Sequence, residues 1–247
     1  MTLITRHLDM EKTLAFLNEV QECTALSGLS AVVKRATMPL GVSSILAGFI
    51  PRYGALPKEQ ARHVMLADWP DDWREIYFRE NLMLRDPTIR RVLWSKPAFL
   101  WTELYGEPDF GKDERFLMDR AKEFYLYDGC TIPLISLDGR HAGFSFAGVN
   151  IDDSPEARGL LNLIACFSFA RALEIQNETA RSSVRLTARE RETIAWVAAG
   201  KTNWEISVIL GISEKAVSKH VSNARLKFGA VNRAHLVAEA IRLKVIS

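Results

Sequence analysis

Trp73 and Tyr77 lie one helical turn apart in the run Trp69-Pro-Asp-Asp-Trp73-Arg-Glu-Ile-Tyr77, so a helix there puts both on one face. Each carries a ring that favours burial and a single polar tip. Asp86 follows, ahead of Pro87 and Thr88. A residue before proline is held extended, which lets its carboxylate aim inward. A buried carboxylate needs a donor, and a neutral amphipathic ligand with an amide N–H would supply one. The same residues also fit an aromatic core beside an Asp-Pro helix start, and their spacing alone leaves both readings open. Four of the six tryptophans (69, 73, 94, 101) fall within 33 residues. Catalytic patterns are missing. The five histidines (7, 63, 141, 220, 235) form no HxxxH or HxH pair, and there is no GxSxG, P-loop or GxGxxG.

A second chemistry sits near the C-terminus. Val217, Val221, Ala224 and Phe228 recur at helical spacing, while Lys215, Ser218, Lys219, Ser222, Asn223, Arg225 and Lys227 occupy the other faces. Cations and small hydrogen-bonders on an outer face suit phosphates and base edges. Two capping boxes, Thr187 to Glu190 and Thr202 to Glu205, start the helices before it. Ile194, Val197 and Ala198 share a face of the first; Ile206, Ile209 and Leu210 belong to the second. Gly200 stops the first helix, Gly211 makes the tight turn, and Ser213 caps the basic helix. Two short helices joined at a glycine, the second basic outside, describe a helix-turn-helix; a helical bundle with a solvated basic face has the same pattern. A fourth helix, about 231–244, puts Leu236, Ala240 and Leu243 on the core, and Val237 and Ile241 widen the stripe toward a dimer contact or a broader core.

The elements that must position the aromatic group are mixed. A helix over about 10–26 and a strand at Ile45–Phe49 precede it. Strands at Thr131–Ile135 and Ala142–Ala147 flank a Leu-Asp-Gly-Arg turn, an antiparallel hairpin. A long apolar helix, about 154–176, follows. The class is α+β: an N-terminal sandwich with an antiparallel sheet between helices and a ligand pocket, then an all-α four-helix domain. No alternation of strands and helices around an acidic phosphorylation pocket appears. Residues 177–186 are polar and read as a linker between domains at 1–176 and 187–247. Residues 186–247 hold ten Lys or Arg and five acids, net +5; residues 1–185 then hold 22 bases and 25 acids, net −3. The excess of base at the C-terminal end points to a polyanion. With no apolar run of 18 residues, no signal sequence in MTLITRHLDMEKTL and three dispersed cysteines (23, 130, 166), a cytoplasmic protein without disulfide or metal site is expected.

The run Leu186-Thr-Ala-Arg-Glu190, Gly200-Lys201-Thr202-Asn-Trp-Glu205-Ile206, Ile209-Leu210-Gly211-Ile212-Ser213-Glu214, Val217 and His220 resembles the DNA-binding domain of LuxR-type regulators over about sixty residues. Ala216 departs from it, where the family usually has threonine. The spacing of Trp73, Tyr77, Asp86, Trp101 and Gly129 resembles that family's autoinducer-binding domain, where these positions enclose an N-acyl-homoserine lactone. The resemblance implies that Trp73 donates to the lactone carbonyl, Asp86 accepts the amide N–H, Trp101 packs on the lactone ring and Tyr77 lines the pocket. Thr88 stands beside Asp86. Thr131 and Ser145 would help at the acyl carbonyl, and Gly129 would allow a close backbone approach. Trp69 replaces a common tyrosine, which changes the acyl-carbonyl geometry, and the aromatic surplus favours a short, branched or aryl acyl group. Lys201, Thr202, Ser213, Lys215, Ser218, Lys219, Ser222 and Arg225 are the implied DNA contacts. The implied protein is a homodimeric quorum-sensing regulator on a palindromic operator, with no cofactor besides the lactone effector, and RNA polymerase is a further partner it allows. The alternative is a DNA-binding regulator that acts without its own lactone or by heterodimerising. As a lactonase, Asp86 would lack a base or metal partner.

Overall fold

The computed structural model describes residues 10–52, 54–94 and 97–246, without the side chains of Met10 and residues 180–183. His7 and most of the stretch scanned for a signal sequence lie outside them. The chain divides into two compact units, Met1–Leu173 and Glu174–Ser247.

In chain order the first unit holds α1 (Met10–Glu22), α2 (Leu26–Thr37), β1 (Ser44–Phe49), α3 (Pro57–Arg62), β2 (Val64–Ala67), α4 (Asp71–Arg79), α5 (Pro87–Leu93), β3 (Phe99–Leu100), α6 (Lys112–Lys122), β4 (Asp128–Ile135) and β5 (His141–Gly148). Helix α7 (Pro155–Ser183) begins in it. The strands form one antiparallel sheet in the order β2-β1-β5-β4-β3, between helices. Its centre is the β4–β5 hairpin, closed where Gly139 takes φ +79. Alternation gives the sheet two faces. Phe144 and Phe146 stack on one, with centroids 4.7 Å apart and no exposure, and Phe49 on that side meets Phe169 of α7 edge-on. On the other face Thr131, Ser145 and Leu46 lie side by side across three strands. A core of Trp69, Trp73, Tyr77, Met83, Val92, Trp101 and Leu117 covers it.

The expected helix over 10–26 is cut after Glu22. Ala25 is extended, and the break frees the Cys23 carbonyl to accept from Arg171 Nε at 3.0 Å. A separate α2 then buries Leu29, Val33 and Thr37. β2 and β3 have four and two residues, too few to show alternation. The expected linker is also corrected: α7 runs to Ser183, so seven of its ten residues are helical. Residues 177–183 contain neither glycine nor proline, Glu178 and Thr179 are exposed, and Thr179 bonds back to the Ile175 carbonyl, so polarity there is compatible with a helix.

The second unit adds α8 (Ala188–Ala198), α9 (Asn203–Leu210), α10 (Glu214–Phe228) and α11 (Arg233–Arg242). Both capping boxes form as their spacing predicts, Ser213 caps α10 and Asn232 caps α11. Gly200, Gly211 and Gly229 all take positive φ. Ile194, Val197, Ile206, Val217, Val221, Ala224, Leu236 and Ala240 are the buried centre. Ala198 and Ile209 are exposed instead, because helices this short turn only a narrow stripe inward. Phe228 and Leu243 are half-buried.

Candidate functional site

α4 starts after Pro70 and carries Trp73 and Tyr77 on its inner face, 1% and 3% exposed. Their rings meet edge-on with centroids 5.9 Å apart, and Trp69 approaches both, at 6.3 Å and 5.1 Å. Asp86 has the extended backbone its proline predicts, and it does two jobs. It caps α5, with Oδ1 accepting from the Thr88 amide at 2.8 Å and the Thr88 hydroxyl at 2.6 Å. Its Oδ2 accepts the Tyr77 hydroxyl at 2.6 Å, and the Ile89 amide supports the same carboxylate. The helix-start and inward-carboxylate readings therefore both hold. Burial raises the Asp86 pKa and outweighs the bonds from Thr88, Tyr77 and the Ile89 amide that lower it. Burial first, then the Asp86 charge, pushes the Tyr77 phenol well above its usual value, so it stays a donor.

A second polar group stands on the sheet. Trp101 Nε1 donates to Thr131 Oγ1 at 2.9 Å, and Thr131 Oγ1 lies 2.9 Å from Ser145 Oγ. Both groups line one cavity of about 80 Å³, walled by Trp69, Trp73, Tyr77, Asp86, Thr88, Trp101, Thr131 and Ser145. Eight of the nine residues expected at the ligand are thus together. Gly129 is the exception. It does not reach the cavity; a methyl there would sit 2.4 Å from Trp101 Cε2 and 2.7 Å from the Phe146 carbonyl oxygen. Its close approach is to Trp101, so it seats the indole.

Sequence reasoning missed further wall residues, among them Gln60, Met83, Met118, Val92 and Leu126 from α3, α5, α6 and nearby turns. Nothing in their spacing marks them, because they meet only through the fold. The cavity is small beside the roughly 300–1,000 Å³ of sites for drug-sized ligands. A guest of that size has to displace the wall, and methionines yield readily. Trp69 Nε1 is buried without a partner, a donor still to be satisfied.

In the second unit, Lys215, Ser218, Lys219 and Ser222 are exposed along one face of α10. The other expected contacts are partly spent on the fold. Thr202 and Ser213 cap helices, and Lys201 pairs with Glu205 at 3.4 Å. Arg225 turns back to the Val231 carbonyl at 2.8 Å, which holds the turn before α11. Lys227 is bound to buried Glu190 at 2.6 Å. Ser218 also accepts from Asn203 Nδ2 at 2.9 Å, which joins α9 to α10. Trp204, 64% exposed on α9, was not anticipated as a surface ring.

Residues 25–172 match the autoinducer binding domain, and residues 184–240 match the model described as bacterial regulatory proteins, luxR family. The transcriptional activator protein BjaR1 of Bradyrhizobium diazoefficiens is 34% identical over 224 residues, 90% of this chain and 89% of that one. The HTH-type quorum sensing-dependent transcriptional regulator RpaR of Rhodopseudomonas palustris is 35% identical over 236 residues, 95% of each. A crystal structure of Escherichia coli SdiA superposes with a TM-score of 0.69 at 20% identity, over 96% of this chain and 99% of that one, a likeness of fold.

Proposed function

We propose that this chain, which belongs to the LuxR family of autoinducer-binding transcriptional regulators, takes an N-acyl-homoserine lactone as its autoinducer. It is a regulator and not an enzyme, with an autoinducer-binding domain ahead of a helix-turn-helix that binds DNA. The observation that carries the lactone reading is Asp86, a buried carboxylate bonded to Tyr77 on the aromatic wall of the cavity. An acyl amide N–H would donate to it. Trp73 would donate to the lactone carbonyl, Trp101 would pack on the ring, and Trp69 Nε1, Thr131 and Ser145 would meet the acyl carbonyl. The indole-rich wall supports a short, branched or aryl acyl group.

Capture of the guest is linked to stability. Each buried methylene contributes roughly 0.8 kcal/mol. Binding only the folded state adds about 2.7 kcal/mol at a hundredfold excess over Kd. The liganded form then acts as a homodimer on a palindromic operator in the cytoplasm, with Lys215, Ser218, Lys219 and Ser222 toward the duplex. Among the described residues no helix is long and apolar enough to cross a membrane. The test is mass spectrometry of the small molecule retained by protein purified from cells that carry candidate lactone synthases. A stoichiometric acyl-homoserine lactone is expected. Protein that folds, binds operator and retains none would favour a regulator without its own lactone.

A further inference from the structure

We propose that the acyl group of the ligand ends in a hydroxyl, on an alkyl or aryl tail, and that the side-chain carbonyl of Gln60 accepts it. This rests on the lactone reading above and concerns the opposite end of the guest. Gln60, on α3, is 2% exposed and lines the cavity. The orientation of its amide is fixed, since Nε2 donates to the Ala55 carbonyl at 2.8 Å and to Asn81 Oδ1, both acceptors. Oε1 therefore points away from them, and it is buried without a partner. A buried carbonyl oxygen lacking any donor is costly and uncommon.

The strands show which end of the guest would meet it. Ser145 pairs with Leu46, and Gly143, two residues along β5, pairs with Gly48, roughly 7 Å away at about 3.4 Å per residue. Gly48 pairs in turn with Val64, which begins β2 just after α3. Gly48, Gly143, Val64 and Gln60 all line the cavity, and a methyl added at Gly143 would have no heavy atom nearer than 3.5 Å. An acyl chain with its carbonyl at Ser145 that runs along β5 over Gly143 heads for the α3 corner, where the His63 carbonyl and Val64 already cover Gly48. Of the lining residues from α3, β1 and β2, which are Leu46, Gly48, Phe49, Gln60 and Val64, only Gln60 has a polar side chain.

The test uses the full chain and two matched pairs of probes. One pair is 3-(4-hydroxyphenyl)propanoyl-homoserine lactone and its 3-phenylpropanoyl parent. The other is 6-hydroxyhexanoyl- and hexanoyl-homoserine lactone. Affinity is read by calorimetry. In at least one pair the hydroxyl is expected to tighten binding about tenfold, the worth of one made rather than missing hydrogen bond. Gln60→Met, which keeps length but loses the carbonyl, is expected to erase that preference while the parent compound still binds. Equal affinities within both pairs overturn the proposal even if the variant does not fold. A preference that survives Gln60→Met overturns it too. Failure of all four compounds to bind overturns the lactone reading itself, a distinguishable result.

Discussion

At the scale of single residues, Asp86 links the pocket to pH. Burial lifts its pKa more than Tyr77 and Thr88 lower it. Folding without ligand therefore favours protonation relative to an ordinary aspartate, so the empty first unit loses stability as pH rises from the ordinary aspartate value through the raised one. A ligand amide needs the carboxylate, so affinity has the opposite sign. Lactone binding should weaken on acidification, beginning above the usual aspartate range near 3.9. Asp86→Asn should lose roughly 10- to 100-fold in affinity and flatten that pH profile, while the second unit melts unchanged. Calorimetric titration across pH checks both, and a profile that keeps its slope in the variant removes Asp86 from the amide contact. Gly129 makes a steric prediction. Gly129→Ala puts a methyl 2.4 Å from Trp101 Cε2 with the Phe146 carbonyl behind it, so the indole has to move off Thr131. A loss of about 1–3 kcal/mol in the first unit and a changed tryptophan emission are expected; an unshifted spectrum would show that the indole has another place to sit.

At the scale of elements, legibility follows locality. The capping boxes, the αL glycines, the β4–β5 hairpin and the α4 face were readable because each is decided within a few residues. The two-residue β3, the break between α1 and α2 and the helical character of 177–183 were not, since tertiary contacts settle them. The site divides the same way. Trp73, Tyr77 and Asp86 announce themselves by spacing, whereas Gln60 reaches the cavity through a short helix with no pattern of its own. Glu190 has a role beyond its capping box. It is 3% exposed and bonds both the Thr187 amide and Lys227 of α10. Burial would raise its pKa, but Lys227 and the Thr187 amide outweigh it and hold the carboxyl below the usual range. The stability it confers is complete above the ordinary glutamate value and is lost as pH falls through the lowered one. Glu190→Gln should cost about 1–2 kcal/mol, a drop of roughly 5–10 °C in the melting of the second unit at neutral pH. An unchanged Tm would mean the pair contributes only orientation. On the outer face of α10, Lys219→Ala should weaken binding to every DNA sequence alike and reduce the slope of log affinity against log salt by about 0.9. An unaltered slope would take Lys219 off the phosphates.

At the scale of the whole molecule, one helix-turn-helix offers few cations. Arg225 and Lys227 are committed to the fold and Lys201 to Glu205, which leaves Lys215 and Lys219 on the outer face of α10. Two lysines release too few counterions to hold an operator at physiological salt, because specific binding leans on many phosphate contacts. A second copy, as proposed, would double them and would cover the apolar surface that Ile241 leaves exposed on α11. Leu236 and Ala240 are buried, while Ile241 is 53% exposed and Val237, one turn before it, is half-buried. A two-fold contact through that stripe would set two recognition helices about one turn of DNA apart. Ile241→Glu places a charge at the centre of such a contact without touching the core. It should reduce affinity for a palindrome at least tenfold and leave affinity for a single half-site within about twofold. Gel-shift titrations on the two DNAs at fixed salt compare them directly. Equal losses on both would mean that Ile241 supports the fold of the second unit, and no loss on either would put the dimer contact elsewhere.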